Sequence, residues 1–178
     1  KHNFSSMKLS DLNLLENKDW ETKILSQWNV GEDTSLEIMK SFYLNGVKDY
    51  SEGRNFPIKK NVSRLSPYLH WGQISPNILW YELQNLKNVR ENDIEVFKSE
   101  LGWREFAYYL LYHFPYLQKK NLKSNFDNFQ WLDDHVNFEK WSKGYTGIPI
   151  VDAGMRELWQ TGYMHNRPRM IVSSFLVK

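Results

Sequence analysis

Residues 146–178 carry the sequence TGIPIVDAGMRELWQTGYMHNRPRMIVSSFLVK, which combines apolar residues at helical spacing with an unusual density of polar groups. The apolar positions of a first helix are Val151, Met155, Leu158 and Trp159. Gly162 is placed to end that helix, and a second helix opens with the run 163–170, which holds two arginines, an asparagine and a histidine. Burying such groups without partners costs several kcal/mol, so we expect two buried helices whose polar groups face a ligand, a cavity or one another.

Helical patterning continues through the rest of the chain. Asp33-Thr34-Ser35 is predicted to cap one helix, and Ser75-Pro76 supplies a cap and a first-turn proline for another. Asp93 opens a long helical pattern that Pro115 closes. Alternation with a period of two is not evident, so the predicted fold class is all-α.

Residues 1–27 are polar, rich in asparagine and lysine, and weakly patterned. Such composition suits a linker or an extended arm, which leaves residues 28–178 as the helical domain.

Composition narrows the classes of function. The 178 residues include no cysteine, which excludes disulfides, thiol nucleophiles and cysteine-ligated zinc. The five histidines are scattered, so we predict no metal site. A net charge of +2 permits a nucleic-acid partner without demanding one. No apolar run reaches membrane-spanning length and no signal peptide is evident, so the default expectation is a cytoplasmic protein.

The run Asn61–Leu69 places two hydroxyls and a guanidinium just before a helical segment. Ser63, Arg64 and Ser66 are the kind of donors that surround a phosphate at a helix N-terminus, and the run could hold a diphosphate. The run alone favours the alternative, an ordinary serine-capped helix start.

A second cluster lies at residues 100–106. Glu100, Trp103 and Arg104 are three and four residues apart, so a carboxylate, a large ring and a guanidinium share one helix face. A planar base would find a stacking surface, a hydrogen-bond acceptor and a phosphate donor there. The equally supported alternative is an intrahelical Glu-Arg pair beside a core tryptophan. A third cluster, Tyr50–Arg54, is typical of a helix end that passes into a loop.

These clusters occur in a fixed order along the chain. The motifs are Ser63-Arg64-Leu65-Ser66, Glu100-x-x-Trp103-Arg104-Glu105-Phe106, Thr146-Gly147-x-Pro149-x-Val151-Asp152-Ala153-x-Met155-Arg156 and Met164-His165-Asn166-Arg167-x-Arg169-Met170. Together they resemble the photolyase and cryptochrome family, and most closely its bacterial-type (class I) cyclobutane pyrimidine dimer photolyases. The resemblance extends from about Trp28 to the last residue.

The resemblance implies light-dependent repair of cyclobutane pyrimidine dimers in DNA, by electron transfer from reduced, excited FAD to a lesion flipped out of the duplex. It also implies that the chain is the N-terminal part of an all-helical FAD-binding domain. The residues that would line the FAD are Tyr50, Val62, Ser63, Arg64, Leu65, Ser66, Phe97 and Arg104. Phe97 stands where the family usually has a tryptophan.

The resemblance also assigns residues to the ultraviolet-damaged DNA. Glu100 would hydrogen-bond a base of the dimer, and Trp103 would pack on the flipped bases. Further contacts to the lesion or its phosphates would come from Arg54, Asn166, Arg167 and Met170. Trp131 corresponds to the surface tryptophan that ends an electron relay; a partly exposed packing tryptophan is the alternative.

Family members are longer than this chain, so the resemblance implies a fragment. They begin with an α/β antenna domain, in which a folate or a deazaflavin can be bound, and they continue with a segment that completes the flavin pocket. We therefore expect residues 1–27 to lead from that antenna domain, and we expect no tight FAD binding or repair from the 178 residues alone. We also expect a monomer.

Other members of the family and one unrelated role remain as alternatives. A cryptochrome-type blue-light receptor without repair activity is the main one, although receptors often lose lesion contacts like Glu100 and Trp103. Photolyases for the (6-4) lesion typically carry histidines at positions matching 166 and 170, which here are Asn166 and Met170. The usual run of DASH-type cryptochromes differs from the one at 164–170. A helical remnant without a cofactor is the last alternative.

Overall fold

The computed structural model describes residues 6–12, 14 and 18–177. Its α-helices in chain order are α1 (Asp19–Leu25), α2 (Glu32–Asn45), α3 (Tyr50–Gly53), α4 (Ser66–His70), α5 (Pro76–Gln84), α6 (Glu91–His113), α7 (His135–Lys143), α8 (Pro149–Thr161) and α9 (Asn166–Val177). Short 3-10 turns lie at Leu9–Leu12, Pro115–Gln118 and Ser124–Phe126. No strand occurs in the described part of the chain, which confirms the all-α prediction.

The chain divides into two units, which are described separately. A central unit comprises residues 30–136, and a terminal unit comprises residues 1–29 together with 137–178. The domain boundary predicted after residue 27 lies near the first border, but the prediction did not anticipate that α1 belongs to the same unit as α8 and α9.

The central unit is built on α6, against which α3 and α5 pack. Its core contains an aromatic cluster in which the ring of Phe97 lies 5.0 Å from Phe42, 6.4 Å from Tyr43 and 5.2 Å from Tyr50, between ring centroids. All four side chains are buried. Such rings bury large apolar areas and prefer tilted or edge-on contacts of this kind, so they fix α2 and α3 against α6.

The helix ends of the central unit follow local sequence signals in part. The Ser75 hydroxyl accepts the Asn77 amide at 3.2 Å and Pro76 is the first residue of α5, as predicted. The cap predicted at 33–35 is wrong: α2 begins at Glu32 after Gly31, and Ser35 is fully buried, where its hydroxyl donates to the Gln73 carbonyl at 2.9 Å. The same hydroxyl lies 2.6 Å from the Glu32 carbonyl one turn earlier, so Ser35 bonds within its helix and to a distant loop instead of capping.

The terminal unit packs α8 against both α1 and α9. Its core is formed by Val151, Met155, Met164 and Val172, with Trp141 alongside. Gly154 lets α9 approach, because a Cβ at that position would lie 3.2 Å from a methyl group of Val172. Gly162 ends α8 with a φ of +68°, as its position predicted.

The prediction of a linker or arm at residues 1–27 is wrong for its last part, which forms α1. Ile24 of α1 lies against Gly162, and the indole N–H of Trp28 donates to the Thr161 carbonyl at 2.6 Å. A seven-residue helix with few apolar contacts leaves too little periodicity to detect from sequence. Residues 1–5, 13 and 15–17 of the predicted arm lie outside the described residues.

The expectation that 146–178 forms two buried helices is only half right. Val151 and Met155 are buried, whereas Leu158 and Trp159 are 39% and 54% exposed.

None of the helices in the described ranges has the length and apolarity needed to cross a lipid bilayer.

Candidate functional site

The loop before α4 has the shape expected of an anion cradle. Arg64 has a φ of +54° and is exposed, and Leu65, which follows it, is buried with αR backbone angles. Successive residues of opposite backbone hand turn their amide groups toward one point and form a concave anion-binding nest. The Ser63 hydroxyl accepts the Leu65 amide at 3.3 Å, which stabilises this turn.

The side chain of Asn61 anchors the start of this loop. Its amide donates to the carbonyls of Gly46 at 3.0 Å and Lys48 at 2.8 Å, so the loop is tied to the end of α2 and the residues after it. Ser66 opens α4 and is exposed beside Arg64. Hydroxyls, a guanidinium and main-chain amides are therefore gathered in one segment, and this donor set fits a diphosphate.

Tyr50 and Phe97, which were predicted to line the FAD, lie in the aromatic cluster of the central unit. They are 6% and 4% exposed. Their role beside a flavin remains a prediction, and their observed role is to pack α3 on α6. Of the two aliphatic residues in the predicted set, Val62 is half-buried at the start of the loop and Leu65 is buried.

On α6, Glu100 is paired with a residue from another helix. The Arg54 guanidinium lies 2.6 Å from its carboxylate, and the side chains of Arg54 and Glu100 are 12% and 35% exposed. Arg54 also lies over the Tyr50 ring at 5.3 Å. The predicted phosphate contact and the predicted lesion acid are thus adjacent and oppositely charged.

The alternative for the 100–106 cluster, a Glu100–Arg104 pair beside a core tryptophan, is wrong. Arg104 pairs with Glu105 at 2.7 Å rather than with Glu100, stacks over the Tyr108 ring at 4.8 Å and donates to the Leu69 carbonyl at 3.4 Å. Trp103 is 65% exposed, so it is not a core residue of the described chain. An exposed ring next to the Glu100 carboxylate is the arrangement that stacking on a base requires.

Asp93 is a residue whose importance the sequence did not reveal beyond its place at a helix start. Its carboxylate is fully buried and accepts the Ser51 amide at 2.8 Å, the Ser51 hydroxyl at 2.7 Å and the Asp49 amide at 3.1 Å. Arg90 donates to it at 2.9 and 3.2 Å. Burial alone would raise the pKa of Asp93, but the hydrogen bonds from Arg90 and Ser51 outweigh it and lower the pKa to about 2.

In the terminal unit, the predicted lesion contacts lie on the first turns of α9. Asn166 and Met170 are exposed and Arg167 is half-buried, with its guanidinium 3.4 Å from the Met170 sulfur. Arg169 donates to the Met164 carbonyl at 2.8 Å. The expectation of buried polar groups is wrong for Asn166 and Arg169, because α9 turns only Pro168 and Val172 inward.

The motif at 146–156 orders the start of α8. Asp152 accepts the Thr146 amide at 2.7 Å, the Thr146 hydroxyl at 2.6 Å and the Gly147 amide at 3.0 Å. The hydrogen bond from the Thr146 hydroxyl is the main reason that the pKa of Asp152 is lowered. Arg156 donates twice to the Gly144 carbonyl, at 3.0 and 2.7 Å. This motif is therefore structural in the residues described.

Trp131, the predicted end of an electron relay, is 62% exposed and lies 4.7 Å from the Phe129 ring. Exposure suits a residue that exchanges electrons with a solution reductant. Its place in a relay remains a prediction.

Comparison with known proteins gives a consistent result. Residues 97–178 match a family model described as the FAD binding domain of DNA photolyase. The chain is 49% identical over 175 residues to a deoxyribodipyrimidine photo-lyase of Agrobacterium fabrum, covering 97% of this chain and 36% of that protein. It is 37% identical over 161 residues to Cryptochrome-2 of Arabidopsis thaliana, covering 85% of this chain and 26% of that protein.

The fold agrees with the sequence comparison. The crystal structure of a bacterial class III photolyase from Agrobacterium tumefaciens matches with a TM-score of 0.94 and 48% identity, over 100% of this chain and 37% of that one. The chain thus spans about a third of the length of these photolyases. That structure is of class III, whereas the motifs were interpreted as closest to class I, so the class stays a prediction. Sequence motifs, helical architecture and family model agree, and the chain belongs to the photolyase and cryptochrome family.

Proposed function

We propose that the protein acts in the light-dependent repair of cyclobutane pyrimidine dimers in DNA. The observation that carries the proposal is the surface of α6, where the exposed Trp103 ring lies three residues from a Glu100 carboxylate that Arg54 holds by an ion pair. A flipped pyrimidine pair offers two things that such a surface recognises, a flat apolar face and N–H donors at its edge. The relatives named deoxyribodipyrimidine photo-lyase support the same activity.

FAD is the proposed cofactor, and it supplies the light-driven electron when bound. The Ser63–Ser66 segment would hold its diphosphate through the hydroxyls of Ser63 and Ser66 and the Arg64 guanidinium, with no competing carboxylate in the motif. Arg104 would add a further positive charge. Tyr50, Val62 and Phe97 would lie toward its rings.

The chain's own groups would bind and orient the lesion. Glu100 would accept a hydrogen bond from a base, and the Trp103 ring would stack on it, which is worth ~1–3 kcal/mol per base. Arg54 would serve both Glu100 and a DNA phosphate, since a guanidinium carries five N–H donors in a planar fork. Asn166, Arg167 and Met170 would contribute further contacts from α9, and Trp131 would pass electrons from a reductant.

The test is repair of a plasmid that carries ultraviolet-induced dimers, by the complete gene product, in blue light and in the dark. We expect dimers to be lost only in the light. Trp103→Ala should weaken binding to a dimer-containing duplex by roughly tenfold and undamaged-DNA binding much less. Trp71→Ala is the matched control, because Trp71 is 76% exposed and is not one of the proposed site residues. Equal losses in the two variants would contradict the stacking role.

A cryptochrome-type blue-light receptor without repair activity is the second candidate, and the 37% identity to Cryptochrome-2 favours it. Both candidates require bound flavin, so the visible absorption spectrum does not separate them. The repair assay does: flavin-loaded protein that removes no dimers in light would be a receptor.

A further inference from the structure

Helix α3 of the central unit is only four residues long, yet α6 holds it at both ends. At its start, Asp93 accepts the main-chain amides of Asp49 and Ser51. At its end, Glu100 pairs with Arg54. Asp93 and Glu100 are seven residues apart on α6, which is about 10 Å along a helix at 1.5 Å per residue. We call this set of contacts the α3 clamp.

The clamp is needed because α3 cannot hold its own shape. An isolated helix of one turn is unstable, since nucleation fixes several residues for a single hydrogen bond. The residue before it, Asp49, adopts a φ of +62°, a left-handed conformation that aspartate tolerates better than most residues but that is uncommon outside glycine. The Asp93 carboxylate holds this conformation by taking the first amides of α3, and Arg90 joins the two by contacting Asp49 at 2.9 Å as well as Asp93.

The first residue of α3 and the residue after its end connect the α3 clamp to the proposed site. Tyr50, the first residue of α3, is fixed by ring contacts to Phe97, and the Arg54 guanidinium lies over the Tyr50 ring. Arg54 can meet Glu100 at 2.6 Å only while α3 keeps this position. The Glu100 carboxylate thus meets a guanidinium whose own segment is anchored by Asp93, two turns earlier on α6.

We propose that Asp93 is a positioning residue of the lesion site. By accepting the main-chain amides at the start of α3 it fixes the position of Arg54, and through Arg54 it orients the Glu100 carboxylate. The inference rests on the proposed function, because it assigns Glu100 a role in lesion recognition. Asp93 itself is not proposed to contact the DNA.

The test compares binding to a duplex with one cyclobutane thymine dimer and to the same duplex without it, in the dark, using the complete gene product. Asp93→Asn keeps the size of the side chain but replaces an acceptor oxygen by a donor, and it should lower the preference for the damaged duplex by roughly tenfold. Ser51→Ala removes one hydroxyl contact and should lower it by about twofold to threefold. Glu37→Gln, at an exposed position on α2, is the control and should leave the preference unchanged.

A double substitution separates positioning from general loss of stability. If Asp93 acts through Arg54, then Asp93→Asn should cause little further loss of preference in a protein that already carries Arg54→Met. Independent, multiplying losses would overturn the inference, and so would an unchanged preference in Asp93→Asn or, should that variant not fold, in Ser51→Ala.

Failure of the proposed function has a different signature. If the unmodified protein shows no preference for the damaged duplex, lesion recognition itself is wrong. The clamp is then tested by thermal unfolding of the same single and double variants, where contacts that share α3 should give non-additive shifts of the midpoint. Additive shifts would overturn the link between Asp93 and Arg54.

Discussion

The buried Asp93 carboxylate makes the stability of the central unit depend on acid in a predictable way. Its pKa falls from 3.8 to about 2 on folding, so between these values the unfolded chain binds more protons than the folded one. The contribution of Asp93 is therefore fully present above pH 3.8 and is lost as the pH falls through about 2. Stability should rise with pH across this window.

The size of the effect follows from the shift. A fall in pKa of that size corresponds to about 2 kcal/mol at most. Arg90, the charged partner, is 58% exposed, and solvent screening reduces its share, so about 1–2 kcal/mol is the expected value.

The measurement is the free energy of unfolding by urea at several pH values, for the unmodified protein and for Asp93→Asn. Other carboxylates titrate in both proteins, so the difference between them isolates Asp93. We expect that difference to shrink by about 1–2 kcal/mol between pH 5 and pH 2. Arg90→Gln is the control, because it keeps the Asp93 carboxylate but removes the cation beside it. The free energy of unfolding of this variant should change less between pH 5 and pH 2 than that of the unmodified protein. A difference that stays constant from pH 5 to pH 2 would refute the account of the clamp.

Three further substitutions test the packing. Gly154→Ala should change the free energy of unfolding by less than ~1 kcal/mol, because the gain in helix propensity offsets a tight contact with Val172 at 3.2 Å. Gly154→Leu should lower it by about 2–3 kcal/mol, since the larger side chain does not fit between α8 and α9. Equal effects of the two substitutions in urea unfolding would contradict the close approach of these helices. Gly162→Ala should lower stability by about 1–2 kcal/mol, since its φ is +68° and a new Cβ would lie 2.9 Å from Ile24; thermal unfolding with Gly162→Asn as the milder control checks this. Tyr43→Phe should cost about 1–2 kcal/mol, because the buried hydroxyl donates to a main-chain carbonyl at 2.7 Å, and a neutral result in urea would mean that the carbonyl finds another donor.

Local signals in the sequence predicted local structure well. The cap at Ser75, the stop at Gly162 and the end of the long helix before Pro115 depend on residues within one turn of each other, and all three are observed. The all-α class followed from the same kind of evidence. Such features need no knowledge of tertiary contacts.

Features that depend on distant partners were missed. Asp93 was interpreted as a helix start, but its amide donors lie 42 and 44 residues earlier in the chain. Glu100 was weighed against Arg104 on its own helix, while its partner is Arg54. Burial on α9 was overestimated because the polar run at 163–170 was assigned to a buried helix, whereas Pro168 and Val172 are the buried residues of α9. Helical periodicity indicates which residues share a face, but it does not identify what that face meets.

The packing of α1 on α8 has a consequence for the order in which the chain folds during synthesis. α1 ends at Leu25 and its partner α8 begins at Pro149, so α1 leaves the ribosome long before there is anything for it to pack against. At ~5–20 residues per second the wait is roughly ten seconds, during which the uninterrupted stretch 30–136 can already form its own contacts. The order of translation therefore delays the packing of α1, and the hydrogen bond from the Trp28 indole to the Thr161 carbonyl should be among the last contacts to form.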